Sequence, residues 1–284
     1  MEASMAFRTI IAFIRSEREA PRVMGAAKLI ASSSERTHII GLYTIPSPIV
    51  YADPTGFADT TLFEAHEQRH KENSEAISAL FNKEMGKGKI SHEFRIVRSE
   101  SSSPSAGVTQ SALRADIIVA GQPDPDDPDS VNDVTDPLVM ESGRPVLFVP
   151  YKVELPAKIH RVLVAFNGKR EASRAAFDSL PFLIKAERTD VVWIDPKKTT
   201  DPNMDIPGTP LSDALRRHGV NVNPFTIDSN GEAADKILRR KIADDKVDLV
   251  VMGAYSQSRL KEWVFGGVTS SFISDMPCLT LMSR

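Results

Sequence analysis

The residues best suited to chemistry in this chain lie between Gly253 and Thr269. Gly253-Ala-Tyr-Ser256 is followed by nine residues and then by Gly266-Gly267-Val268-Thr269, where a helical pattern begins. Glycines let backbone amides approach an anion closely. The first turn of a helix carries unpaired N–H groups and the positive end of its dipole, and the Thr269 hydroxyl adds a donor. Arg259 and Lys261 add positive charge nearby. The chemistry this spacing fits is phosphate binding; the plainer reading is a C-capping glycine followed by a solvent loop.

Two further strings carry metal-binding residue types. His66-Glu-Gln-Arg-His70 has two histidines one helical turn apart with a glutamate between them, the arrangement of a zinc-protease helix. Its surroundings, Phe63 to Asn73, are charged on nearly every side, which favours a solvated face over a dry zinc cleft. The segment Gln122 to Pro137 holds six aspartates and no glycine. Asp124, Asp126, Asp127 and Asp129 resemble cation ligands, but the sharp-turn glycine and closing glutamate of a calcium loop are missing. Carboxylates repel phosphate and prolines remove amide donors, so this loop is expected not to bind a nucleotide. No Ser-His-Asp or Cys-His arrangement can be assembled, and no Walker lysine is present. The expectation is therefore binding rather than catalysis.

The elements that must position these residues occur twice. Arg8-Thr-Ile-Ile-Ala-Phe13 matches Arg161-Val-Leu-Val-Ala-Phe166, and an Arg-Glu-Ala triplet follows each, at 18–20 and 170–172. Ala115-Asp-Ile-Ile-Val-Ala-Gly121 matches Val247-Asp-Leu-Val-Val-Met-Gly253, and Pro145-Val-Leu-Phe-Val149 matches Pro277-Cys-Leu-Thr-Leu281. Matches in conserved order indicate an internal duplication. Within each half, near-continuous Val/Ile/Leu runs alternate with amphipathic stretches, the pattern of a parallel sheet covered on both faces. Strands are predicted near 7–14, 37–43, 90–97, 116–121 and 146–150, with helices near 19–34, 60–85, 104–114 and 134–142. In the second half, strands are predicted near 161–166, 190–194, 220–227, 247–252 and 278–282, with a short helix entered by Thr209-Pro210 and closed by Gly219. Tyr151 to Ala157 reads as the linker, giving domains at 1–151 and 158–284.

Length and composition agree with this division. The chain has 284 residues, enough for two domains, and its 35 basic against 38 acidic residues leave a net charge of −3. The basic residues are scattered, which argues against nucleic acid and anionic membranes as partners. The single cysteine, Cys278, lies in an apolar run and reads as a core residue in a reducing compartment. The first apolar stretch is too short for a secretion signal or a membrane span, so a cytoplasmic location is expected.

The segment Ser258 to Thr269, with its glycine spacing after a buried strand and the duplication of the whole, resembles the universal stress protein family. The resemblance extends over both halves. It implies two five-stranded, doubly wound α/β domains of the adenine nucleotide alpha hydrolase-like type, strand order 3-2-1-4-5, joined through their last strands at 145–150 and 277–282. It also implies an adenine nucleotide, ATP or AMP with Mg, held by the second half. The matching positions are Ala165 and Asn167 after the first strand and Ile194, beside Trp193, after the second. Met252, Gly253, Ser256, Gly266, Gly267, Val268 and Thr269 would line the phosphates or the adenosine. The family's pattern has Asp where this chain has Asn167, Gly where it has Ser256, and a hydroxyl residue where it has Gly267. A ligand-free scaffold and a slow ATP-hydrolysing enzyme remain the alternatives, and pairing of two whole chains stays open.

Overall fold

The computed structural model describes residues 6–31, 36–48, 60–130, 134–196, 209–254 and 267–284. In the first half the order is β1 (Thr9–Phe13), α1 (Ala20–Ala31), β2 (His38–Ile45), α2 (Thr60–Met85), β3 (Ser91–Arg98), α3 (Pro104–Ala112), β4 (Ile117–Gly121), α4 (Thr135–Glu141) and β5 (Val146–Val149). The second half contributes β6 (Arg161–Ala165), α5 (Arg170–Asp178), α6 (Leu180–Leu183), β7 (Arg188–Ile194) and α7 (Thr209–Arg217). It continues with β8 (Val222–Ile227), α8 (Ala234–Asp245), β9 (Leu249–Gly253), α9 (Gly267–Ser274) and β10 (Leu279–Ser283).

Local chemistry accounts for these boundaries. In α1, buried Ala20, Val23, Met24, Ala27, Ile30 and Ala31 recur at helical spacing, and Pro21 falls in the first turn, where a missing amide costs nothing. Pro104 opens α3 for the same reason. α8 ends at Lys246 in the left-handed region, φ 51°, with its amide returning to the carbonyls of Ala243 and Ile242. Every residue of β4 is buried, as expected for a parallel strand with a layer on each face.

Among the described residues the strands form a single sheet of order β3-β2-β1-β4-β5-β10-β9-β6-β7-β8. Each half runs 3-2-1-4-5 with all pairs parallel. The halves meet through the one antiparallel pair, β5 with β10, in which Leu147 faces Leu281 and Phe148 faces Thr280. The intrachain pairing implied by the family resemblance is thus the seam of a continuous sheet. Two apolar layers flank it. One holds Val23 and Ile30 of α1, Phe81 of α2, Ala175 and Ala176 of α5, and Leu215 of α7. The other holds Val108 of α3, Leu138 of α4, Leu238 of α8 and Phe272 of α9.

Both layers run from one half into the other. Phe7 and Phe182 bring their rings to 5.2 Å across the seam, and Gln122 Nε2 donates to the Ile273 carbonyl at 3.2 Å.

Candidate functional site

In a doubly wound sheet, ligands bind beyond the carboxyl ends of adjacent strands whose connections leave toward opposite faces. This chain has two such points. β1 leads into α1 on one face and β4 into α4 on the other; β6 leads into α5 and β9 into α9 in the same way. The two crevices are built very differently.

The crevice at β6 and β9 is made by backbone and small residues. β6 ends at half-buried Ala165, paired with Met252, and the Phe166 amide then donates to the Val192 carbonyl at 2.9 Å. Asn167 is exposed, and its Oδ1 accepts from the Lys169 amide at 3.0 Å, which turns the chain toward α5. Gly168 has φ 71°, and a Cβ there would lie 2.8 Å from the Trp193 ring. Glycine is required on both counts. Trp193 packs edge-on to Phe166 at 5.1 Å, and Ile194 follows it, half-buried at the end of β7.

On the other strand, Gly253 lies so close to α5 that a Cβ would meet the Ala172 nitrogen at 2.4 Å and the Glu171 carbonyl carbon at 2.5 Å. The amino end of α5 is therefore pressed against the end of β9. Gly267 opens α9; it is exposed, and a Cβ added there would meet none of the described residues within 4 Å. Val268 is half-buried and Thr269 buried. Ser256 and Gly266 of the expected phosphate loop, with Arg259 and Lys261, lie outside the described residues.

The crevice at β1 and β4 is filled by the chain itself. Arg15 is buried and spends its guanidinium internally: Nε donates to Glu19 Oε1 at 3.1 Å, one terminal nitrogen to Glu19 Oε2 at 2.7 Å and to the Gly121 carbonyl at 2.9 Å, and the other to the Ser130 carbonyl at 2.8 Å. Glu19 is fully buried and also accepts from the Arg15 amide. The Ser16 hydroxyl donates to Asp127 at 2.5 Å, and Asp124 lies 3.4 Å from Arg18 and 4.0 Å from Arg22. The aspartates weighed as cation ligands are thus engaged by arginines and hydroxyls: Asp124 and Asp127 turn inward, Asp126 accepts through its carbonyl from Arg18, and Asp129 pairs with Arg69. Among the described residues, no three His, Cys, Asp or Glu side chains gather as a metal site would require.

The stretch Phe63 to Asn73 is largely exposed, as expected, but its two histidines turn partly inward. Both histidines are half-buried, with rings 4.4 Å apart, and His70 Nδ1 lies 2.7 Å from the Tyr43 hydroxyl. Burial holds the His70 pKa below its usual value, assisted by the neighbouring His66 and Arg69. Glu67 faces outward to Arg98 in a bidentate pair at 2.8 Å. Cys278 is buried, and burial pushes its thiol up to about 12. Charge patterning along α2 does not reveal this because the residue that meets His70, Tyr43 of β2, is distant in sequence.

Two 3-2-1-4-5 units joined at their last strands give the α/β fold seen in tandem universal stress protein structures. A universal stress protein from Archaeoglobus fulgidus superposes with a TM-score of 0.65 at 14% identity, covering 97% of this chain and 96% of its own. A functionally unknown protein from Pseudomonas aeruginosa superposes at 0.60 with 15% identity, covering 100% and 94%. No protein-family model and no curated protein matches the sequence. At such identities the likeness establishes the fold, and the activity rests on the residues.

Proposed function

We propose that this is a stress-response protein in which a C-terminal domain, 158–284, binds one adenine nucleotide, ATP or AMP with Mg, while an N-terminal domain, 1–151, binds none. The asymmetry between the two crevices carries this reading. At β1 and β4 a buried Arg15–Glu19 pair occupies the space, whereas after β6 the turn is Asn167-Gly168, with glycine where the first half carries Arg15, and Glu171 pairs with Arg170, a residue of its own helix, instead of with a guanidinium held inside the crevice. Ala165, Asn167 and Ile194 would face the nucleoside. Met252, Gly253 and Gly267, with Val268, Thr269 and the segment containing Ser256 and Gly266, would face the phosphates, using backbone donors at the start of α9. Nothing in these residues supplies a general base, so the role is binding rather than turnover, and scattered charge gives no nucleic-acid surface. Among the described residues no helix is long and apolar enough to cross a membrane.

Isothermal titration with ATP and AMP in magnesium buffer tests this directly. One site per chain is expected. Gly267→Asp meets none of the described residues, and it sets a carboxylate at the helix start, where acidic side chains are favourable, so it should keep the fold and weaken binding about tenfold or more. Absence of binding at millimolar nucleotide would leave the ligand-free scaffold; two sites per chain, or an unaffected Gly267→Asp, would also overturn the assignment. Phosphate release with magnesium would show the slow hydrolase instead.

A further inference from the structure

Among the described residues the sheet ends in β3 on one side and β8 on the other, and the two outer edges are finished differently. The Asn221 and Ile227 carbonyls accept from the Thr189 and Asp195 amides, so the odd-numbered residues of β8 bond inward to β7 and the even-numbered ones face outward. Pro224, in the middle of that outward row, has no N–H to offer, which closes the edge to further pairing. β3 carries no such stop. The Ser99 amide just after it donates to the Ile45 carbonyl at 2.9 Å, which sets odd-numbered residues toward β2 and leaves the N–H and C=O groups of His92, Phe94, Ile96 and Arg98 pointing off the sheet. The strand runs for 8 residues without proline or glycine, and Ile96 on it is 48% exposed.

Charged side chains guard an edge when they repel a second copy. Those of β3 do the reverse. Glu93 and Arg95 lie on one face, opposite in sign and in contact with each other, and His38 Nε2 lies 3.2 Å from Glu93. Two copies of one edge related by a twofold axis run antiparallel, and outward groups must meet outward groups, so a ladder forms only where even-numbered residues face even-numbered ones. The two longest such registers pair 91–97 with its copy or 92–98 with its copy. The second sets Arg95 directly against Arg95, which like charge disfavours. The first sets Phe94 against Phe94 and Ile96 against His92. It also sets Glu93 against Arg95 on both sides of the axis, at the non-hydrogen-bonded positions where facing side chains approach most closely.

We propose that β3 is the docking edge for a second copy of this chain, paired antiparallel about Phe94, with Glu93 and Arg95 exchanging partners across the twofold axis. Phe94 and His92 are half-buried against Phe81 of their own chain, and the copy covers their open side. The pairing uses neither strand-end crevice and does not depend on the nucleotide assignment.

Sedimentation of the full chain should give the mass of two chains at micromolar concentration and dissociation on dilution. Arg95→Glu, which turns both cross-axis pairs into like charges, should weaken the dimer about tenfold or more with circular dichroism unchanged. Glu93→Arg combined with Arg95→Glu should restore the affinity to within about threefold of the parent, because the exchange is reciprocal. In the competing register the double change leaves like charges face to face and restores nothing. Ile96→Pro removes an outward N–H without touching the ladder to β2, as Pro224 does in β8, and should leave a folded monomer. A monomer at every concentration overturns the proposal. A dimer that neither Arg95→Glu nor Ile96→Pro weakens, or a double exchange that fails to restore it, overturns it as well.

Discussion

At the scale of single residues, burial decides which groups are reactive and which are structural. Cys278 sits among apolar neighbours with its pKa pushed up to about 12, so the thiolate is absent at neutral pH. Native protein should therefore resist a thiol reagent such as Ellman's reagent and react stoichiometrically once unfolded in urea. His70 titrates below its ordinary 6.5 because burial disfavours the cation. Its neutral form thus contributes stability above about pH 6.5, and that contribution is lost as the pH falls through the lowered folded value. Imidazole NMR should place the His70 midpoint below 6.5. Stability measured by urea should decline on acidification through that range more in the parent than in His70→Gln. Arg15 is the third case. Removing one partner of a buried pair costs about 3–5 kcal/mol, so Arg15→Ala should lower the unfolding free energy by that order. Combining it with Glu19→Ala should cost less than the sum, since the second change removes the stranded charge.

At the scale of elements, strands were legible and the contacts between loops were not. Ile117 to Gly121 and Leu249 to Gly253 announce themselves as buried strands because both faces of a parallel sheet demand apolar side chains, whatever the partners. β7 begins at Arg188, ahead of its predicted start, because Arg188 pairs with Asp190 along the strand and the apolar signal begins only after them. The short helix α6 carries Pro181 at its start, one residue after α5 ends, and four residues are too few for a periodic apolar signal. The filled crevice at β1 could not be read at all: Arg15 finds Gly121 and Ser130 more than a hundred residues away, and sequence spacing alone does not place a guanidinium among carbonyls. For the candidate nucleotide site, glycine spacing was visible while its physical demand was not. Gly168 illustrates this, since nothing local in Asn-Gly-Lys reveals that Trp193 closes over it. Gly168→Ala must adopt a positive φ and crowd that ring, and it should destabilise the protein by about 1–2 kcal/mol or more, read from denaturation followed by circular dichroism.

At the scale of the whole molecule, β5 and β10 join two sheets into one, and both apolar layers cross the seam. Leu147 and Leu281 face one another there, each with no exposed surface. Leu147→Ala or Leu281→Ala should each cost about 2–5 kcal/mol, with a non-additive double mutant. Either change should lower the unfolding midpoint reported by the two tryptophans, both in the second half, together with that reported by amide signals of β1, because the halves share a core. A pairing of this kind between separate identical chains would oblige both members to carry every substitution alike. Encoded in a single polypeptide, the two members are free to differ: one fills its cleft with Arg15 while its sibling has Gly168 at the matching position, and the seam that joins them involves neither residue.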